Sequence, residues 1–291
     1  MKVRPLTRDD ADAVAALVAT DNEALRGRPS QLQGRDVLDW WSLVDLAHDS
    51  WLFHEEGEPV AAGWFHVYGD KGEFGGIVGV GSKGRGLGTA IAERSEVCAR
   101  TRGLERVRTF IPPEDAAAVA LFRGRGYEEV RRFYDMAIEL QVAPPAPSLP
   151  DGLMLDEFGE EDARAFHAAT VESFEDHWEW HGMPFDEWWE RRRDEDHSLW
   201  FLVRDGAEIA AVIRNEAGRN GGGYVGIIGV RRPWRGRGLG KALLHRTFAE
   251  FWRRGVPRIT LGVDAESPTG ATKLYESVGM SVESAMSVYE R

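Results

Sequence analysis

The chain has 291 residues, 43% of them hydrophobic and 29% charged, with a formal net charge of -12, enough for two domains that each bury a core. The acidic balance argues against a nucleic-acid partner, which needs a basic face for phosphates, and is compatible with a cationic substrate such as an amine. The opening "MKVRPLTRDD" has no apolar run and no window nears the roughly 18 apolar residues of a membrane helix; Cys98 is the one cysteine, so there is no disulfide framework, and the cytoplasm, with no membrane partner, is expected.

In chain order, "VRPLTRDDADAVAALV" predicts a short strand, an acidic helix start and an apolar helical stripe. Trp40-Trp41 falls on a second helix. "WLFHEEGEPVAAGWF" reads as two strands joined at a Glu-Gly turn. A further strand, residues 74–80, runs into "SKGRGLGTAI" and a long helix, where Cys98 is expected as a buried packing thiol. A strand ("RVRTFI"), a helix ("AAVALFRGRGY") and a final strand complete the half. "QVAPPAPSLPD" follows, whose four prolines predict an extended linker over 141–151.

The plan then repeats. "LMLDEFGEEDARAFHAAT" supplies a strand and a helix start, with Asp162-Ala163 placed 152 residues after Asp10-Ala11. Trp188-Trp189 matches Trp40-Trp41, which favours a shared packing role. "LWFLVRDGAEIAAVI" is the hairpin, 224–230 the next strand, then "WRGRGLGKALL", "RITLGV", a helix and a last strand. The order β-α-α-β-β-β-α-β-α-β is written twice. It predicts an α/β (α+β) fold of two tandem domains, 1–140 and 152–291, each a mixed, mostly antiparallel sheet flanked by helices.

Gly-Arg-Gly-Leu-Gly occurs at Gly84 and again at Gly236. Glycine turns between strand and helix suit phosphate, because the backbone approaches closely and the first helical N–H groups are free. A P-loop fails: Gly240-Lys241 is followed by Ala242. Gly79-Val80-Gly81-Ser82-Lys83-Gly84 fits a dinucleotide pattern literally, but the second copy does not and the element order is not βαβ. Arg235-Gly236-Arg237-Gly238-Leu239-Gly240 matches Arg/Gln-x-x-Gly-x-Gly/Ala, and "LGVDAESPTGATKLYESVGM" adds a strand and a helix ending Leu-Tyr-Glu-x-x-Gly-Met. Here the chain resembles the GNAT superfamily of N-acetyltransferases over both halves, and its tandem form looks like the mycothiol-synthase-like two-domain branch.

The resemblance implies acetyl-CoA as co-substrate and a direct attack by an amine on the thioester. The pyrophosphate would rest on Arg235, Gly236, Arg237, Gly238, Leu239, Gly240 and Lys241. The pantetheine arm would pair with the strand edge at Ile228, Gly229 and Val230, whose N–H would polarise the thioester carbonyl. Arg231, Arg232 and Arg235 read as phosphate ligands or as a solvated basic loop. Tyr275 matches the family's general acid. Phe122 stands in its place in the first half and cannot donate a proton. That half also has Lys83 for the leading Arg, and its strand-to-helix loop counts two residues shorter, from Val80 to Lys83 against Val230 to Arg235. A second cofactor site at Val78, Val80, Lys83, Arg85, Gly86 and Gly88 would bind an anion without catalysis. Tyr224 stands where mycothiol-synthase-like proteins carry a glutamate, so mycothiol synthesis itself is not implied. The base is then elsewhere, a water chain, or dispensable, and Glu172, Asp176, His177 and His181 are the local candidates.

Residues 171–193, "VESFEDHWEWHGMPFDEWWERRR", mix carboxylates with tryptophans, which attract cationic amines. Glu172, Asp176, Trp178 and His181 are the substrate candidates, against a reading as helix cap and core. His177 and His181 are spaced i, i+4, but Trp178 follows the first and no third ligand is evident, so no metal is expected. Two functions compete with acetylation of a small amine by the C-terminal half. One is a non-catalytic acyl-CoA-binding or sensing protein, and the other is acetylation of a protein or peptide amine.

Overall fold

The computed structural model describes residues 1–27, 32–219 and 221–291. The chain forms β1 (Lys2–Arg4), α1 (Ala11–Arg26), α2 (Gly34–Trp40), β2 (Ser50–Glu55), β3 (Glu58–Tyr68), β4 (Lys71–Val78), α3 (Leu87–Thr101), β5 (Arg106–Ile111), α4 (Ala116–Gly124) and β6 (Glu128–Glu139). The same order follows as β7 (Leu153–Glu157), α5 (Ala163–Phe174), α6 (Phe185–Glu190), β8 (Trp200–Asp205), β9 (Glu208–Arg219), β10 (Gly222–Val230), α7 (Leu239–Arg253), β11 (Arg258–Asp264), α8 (Ala271–Glu276) and β12 (Ser281–Glu290). The doubled order read from the sequence is therefore present, with α1 and α5 starting directly after Asp10 and Asp162. No helix among the described residues is long and apolar enough to cross a membrane.

Two compact units share the chain: Met1–Phe133 with Ala285–Arg291, and Tyr134–Ser284. They differ from the contiguous sequence halves in that the last strand of each half runs on into the other unit, β6 after Phe133 and β12 after Ser284. In the first unit, antiparallel pairs β1–β2–β3–β4 lead to a parallel β4–β5 pair, and β12 lies antiparallel to β5 through Ser287↔Ile111 to Glu290↔Arg108. In the second, β7–β8–β9–β10 are antiparallel, β10–β11 is parallel, and β6 lies next to β11. Leu140 N–H donates to the Pro257 carbonyl at 2.9 Å. Alternation marks which face of a strand is buried, not which strand lies beside it, so this exchange leaves no periodic trace.

The second unit's core forms where α7 meets the sheet. Leu239, Ala242, Leu243, Thr247 and Phe251 recur at helical spacing and are all buried, against the wholly buried run Trp200 to Val203 of β8. On the opposite face, Trp188 and Trp189 join Phe158, Phe166 and Trp200 in one aromatic cluster. Trp40 and Trp41 pack on Trp64 at 6.1 and 6.0 Å, which is the shared packing role expected of both pairs. Cys98 is half-buried on α3 and packs at the edge of the first core, and burial pushes its thiol pKa up.

Candidate active site

The glycine phrase turns each sheet into a helix. Gly236 and Gly238 take φ of +74° and +84°, left-handed values that strain any residue with a Cβ. The first intrahelical bond of α7 runs from Ala242 N–H to the Gly238 carbonyl, so the N–H groups of its opening turn have no helical acceptor. Gly240 is tight for a different reason: an added Cβ would lie 2.9 Å from Leu274 Cδ2 on α8. The first copy repeats the backbone, with Gly84 and Gly86 at +77° and +81°. Ser82 N–H donates to the Gly79 carbonyl as Trp234 N–H does to that of Arg231. The two loops are thus equal in length. The shorter first loop expected from the sequence is corrected, because β4 ends at Val78 rather than Val80 and the following 3-10 turn, Val80–Ser82, matches Arg232–Trp234.

What differs is the charge around each turn. Arg231 donates to Glu172 at 2.7 Å, and Arg232 pairs with Asp176 at 2.6 Å and Glu175 at 3.2 Å. Arg235 reaches Asp176 at 2.9 Å, the Val230 carbonyl at 3.1 Å and the Ser173 carbonyl at 3.2 Å. Hydrogen bonds from Arg232 and Arg235 hold the Asp176 carboxyl at about 2. The three arginines therefore staple the turn to the end of α5, and Glu172 and Asp176 already have cationic partners. Arg237 and Lys241 have no ion-pair partner among the described residues. In the first copy Lys83 is held by Asp21 at 2.6 Å and Asp115 at 2.9 Å, and Arg85 by Glu55 at 2.5 Å.

The parallel strands beside the second turn separate early. The β10–β11 register covers only Gly223↔Ile259 and Tyr224↔Thr260, while β10 continues to Val230 and β11 to Asp264. Beyond Tyr224 that side of β10 has no β11 partner in register. A bulge sits at the same point, where the partners of β10 jump from Val225↔Asn215 to Ile227↔Arg214 across Gly226. In the first unit β4 and β5 pair over four residues, and β4 runs along β3 without a shift.

Tyr275 stands on α8 and is buried. Burial, with nearby Tyr224 adding to it, raises its pKa well above the usual tyrosine value, so its proton stays on. Tyr224 in turn lies under the Arg219 guanidinium at 4.2 Å and directly opposite Glu216 on β9. Phe122, the first unit's counterpart of Tyr275, packs against Phe74 and Tyr127 at 5.8 and 5.3 Å.

Among the other predicted site residues, His177 packs against Phe174 with ring centroids 4.3 Å apart and planes tilted by 31°, and burial lowers its pKa. Trp178 and His181 lie in the segment joining α5 to α6. No group of three or more His, Cys, Asp or Glu among the described residues is placed to hold a metal ion. Sequence reasoning missed two carboxylates. Glu73 of β4 faces His66, at 3.7 Å, in the pair that matches Tyr224 and Glu216, and is bound by Arg108 at 2.7 Å. Glu216 is the other; a simple count along the β9–β10 hairpin would have set Ala217 opposite Tyr224, and the register shifts at Gly222/Gly223 and Val225/Ile227 bring Glu216 there instead.

Residues 14–127 and 160–280 match the acetyltransferase (GNAT) family. The mycothiol acetyltransferase of Thermobispora bispora is 29% identical over 296 residues, covering 98% of this chain and 97% of that protein. That of Salinispora arenicola is 32% identical over 221 residues, covering 71% of this chain and 69% of that protein. Among solved structures, a GCN5-related N-acetyltransferase from Sphaerobacter thermophilus superposes with a TM-score of 0.87 at 32% identity, over 100% of this chain and 95% of that one. A tandem GNAT protein from the clavulanic acid biosynthesis pathway shares the fold, with a TM-score of 0.78 at 16% identity over 100% of this chain and 98% of that one.

Proposed function

The chain belongs to the acetyltransferase (GNAT) family, and from that premise we propose that its second unit transfers acetyl from acetyl-CoA to the amine of a small molecule. The observation that carries the reading is the coincidence of three features in that unit. The parallel ladder opens after Tyr224, the bulge falls at Gly226, and Arg237 and Lys241 stand without carboxylate partners beside the glycine turn. The parallel ladder of the first unit also opens, after Phe74, but its β4 has no bulge and carboxylates hold Lys83 and Arg85.

The residues present fit acetyl-CoA. Gly236, Gly238 and Gly240 leave a cradle that a Cβ would strain or fill. The amides from Arg235 to Lys241 suit a pyrophosphate, and Arg237 and Lys241 add positive charge. Ile228, Gly229 and Val230 offer a strand edge to the amides of a pantetheine arm. Acetyl-CoA supplies an activated acetyl thioester when bound. A β10 N–H on that edge then donates to the carbonyl oxygen as negative charge grows there. The Tyr275 hydroxyl would donate a hydrogen bond to the departing sulfur. Its raised pKa makes it a constant hydrogen-bond donor at every physiological pH rather than a strong acid.

The first unit keeps the turn but not the chemistry. Two aspartates hold Lys83, Glu55 holds Arg85, and Phe122 has no hydroxyl. We assign it a structural role, with one CoA bound per chain. Release of CoA thiol across a panel of small amines, wild type against Tyr275→Phe, tests the reading. Amine-dependent release that falls about 100-fold in the variant is expected; no release with any amine would sink the assignment.

A further inference from the structure

We propose that Glu216 is the general base of this acetyl transfer, supplying from β9 the carboxylate that β10 lacks. The inference rests on the acetyltransferase reading above and names a residue that reading leaves open.

The duplicated fold gives the first argument. Glu216 and Tyr224 are directly opposed across β9 and β10, and the matching pair in the first unit is His66 and Glu73 across β3 and β4. Directly opposed residues project on the same face of a sheet. Each unit thus keeps one carboxylate in this pair, on β4 in the first and on the neighbouring strand in the second.

The second argument is position. A Cβ on Gly226 would lie 3.0 Å from Glu216 Oε1 and 2.7 Å from Arg214 Nη2. The carboxylate therefore rests against the backbone of the bulge itself, just past the point where β10 leaves β11. Glycine at this position makes the room, and the bulge is absent from the first unit. The Glu216 side chain keeps 25% of its surface exposed, so a ligand can reach it.

The charges around it suit the role. Arg214 donates to Oε1 at 2.6 Å and Arg219 to Oε2 at 3.4 Å. Glu195 shares Arg214 at 3.0 Å, and Arg192, Tyr224 and, through Tyr224, Asp135 are further charged and titratable groups nearby. Burial pushes the carboxyl up, but the arginines outweigh it and hold Glu216 below the usual glutamate range. It is ionised at neutral pH and ready to accept a proton. Tyr224 lies near enough to Tyr275 to raise its pKa, so Tyr224 neighbours both Glu216 and the hydroxyl donor.

The step balances. A neutral amine, its first proton already lost to solvent, forms the C–N bond at the thioester carbonyl. The N–H becomes acidic as that bond forms, so a carboxylate of low proton affinity suffices, and the proton passes to Glu216. The C–S bond breaks while the Tyr275 hydroxyl holds its hydrogen bond to the departing thiolate. Solvent then carries the proton from Glu216 to that sulfur, giving one amide and one thiol with no net charge change.

The test is chemical rescue. With the best acceptor from the amine panel, Glu216→Ala and Glu216→Gln should lose about 100-fold in kcat with CoA affinity by calorimetry unchanged. Sodium formate should restore Glu216→Ala in proportion to its concentration, because Arg214 and Arg219 remain to seat it, and should leave Glu216→Gln unaffected. Glu216→Asp retains the charge for the arginines and serves if the neutral variants fail to fold. Its carboxylate withdraws from Gly226, and a loss of about 10-fold in kcat is expected. Wild-type kcat in the Gln or Asp variant, or a loss in Glu216→Ala that formate does not relieve, overturns the role of Glu216 while the acetyltransferase reading stands. Absence of amine-dependent turnover in the wild type overturns that reading instead.

Discussion

Asp176 accepts from Arg235 at 2.9 Å and from Arg232 at 2.6 Å, and so ties the glycine turn to the end of α5. Asp176→Asn should loosen the turn and weaken CoA binding a few-fold, leaving the amine KM unchanged. The carboxyl is held at about 2, so the tie is complete above roughly pH 4. It weakens only as the pH falls toward 2, in keeping with a group whose folded pKa lies below its unfolded one. Calorimetric titration with CoA at pH 7 checks the first part; an amine KM that rises instead would return Asp176 to the substrate site.

Gly238→Ala places a Cβ at φ +84° with nothing within 4 Å of it. Strain alone then operates, about 1 kcal/mol. The same change at Gly86, φ +81°, should cost the same stability. Only Gly238→Ala should weaken CoA binding, by about 10-fold. Equal effects on binding would mean that both turns hold the cofactor.

Arg237→Ala and Lys241→Ala should each weaken CoA binding about 10-fold at low salt and flatten its dependence on ionic strength. Arg85→Ala should change neither, because Glu55 already neutralises that side chain. Titrations at two salt concentrations decide the point.

Glu250 is buried on α7 and accepts from Arg253 at 2.5 Å, Arg254 at 2.7 Å and Arg246 at 3.1 Å. Its carboxyl is lowered from the ordinary glutamate value of 4.5 to about 2, chiefly by the Arg253 hydrogen bond. The folded state therefore gains stability from this charge above pH 4.5 and loses it as the pH falls toward 2. Glu250→Gln should reduce stability at pH 7 by about 2 kcal/mol. It should also flatten the acid limb, read as urea midpoints at pH 7, 4 and 3. An unchanged acid limb would assign the pH dependence to other carboxylates.

Much of this was legible in the chain. The helix and strand order follows from apolar spacing. The hairpin turn was legible from the Glu56-Gly57 pair, and both residues take positive φ there, 52° and 96°. The glycine phrase located the left-handed turn that opens α7, and the sequence placed Tyr275 on the helix before the last strand. The side-chain partners were not legible. The acidic segment at the end of α5 reads as a wall for a cationic substrate, and the fold brings Arg231 to Glu172 and Arg232 to both Glu175 and Asp176, from some sixty positions away.

The sequence by itself determined the doubled plan, the two glycine turns and the difference between Phe122 and Tyr275, because these depend on local period and on what a single residue type can do. Tertiary structure alone decided the exchange of the last strands, the equal loop lengths, the opening beyond Tyr224 and the place of Glu216. Each of these is a matter of register between strands, and register is set by contacts across the sheet that no one strand encodes.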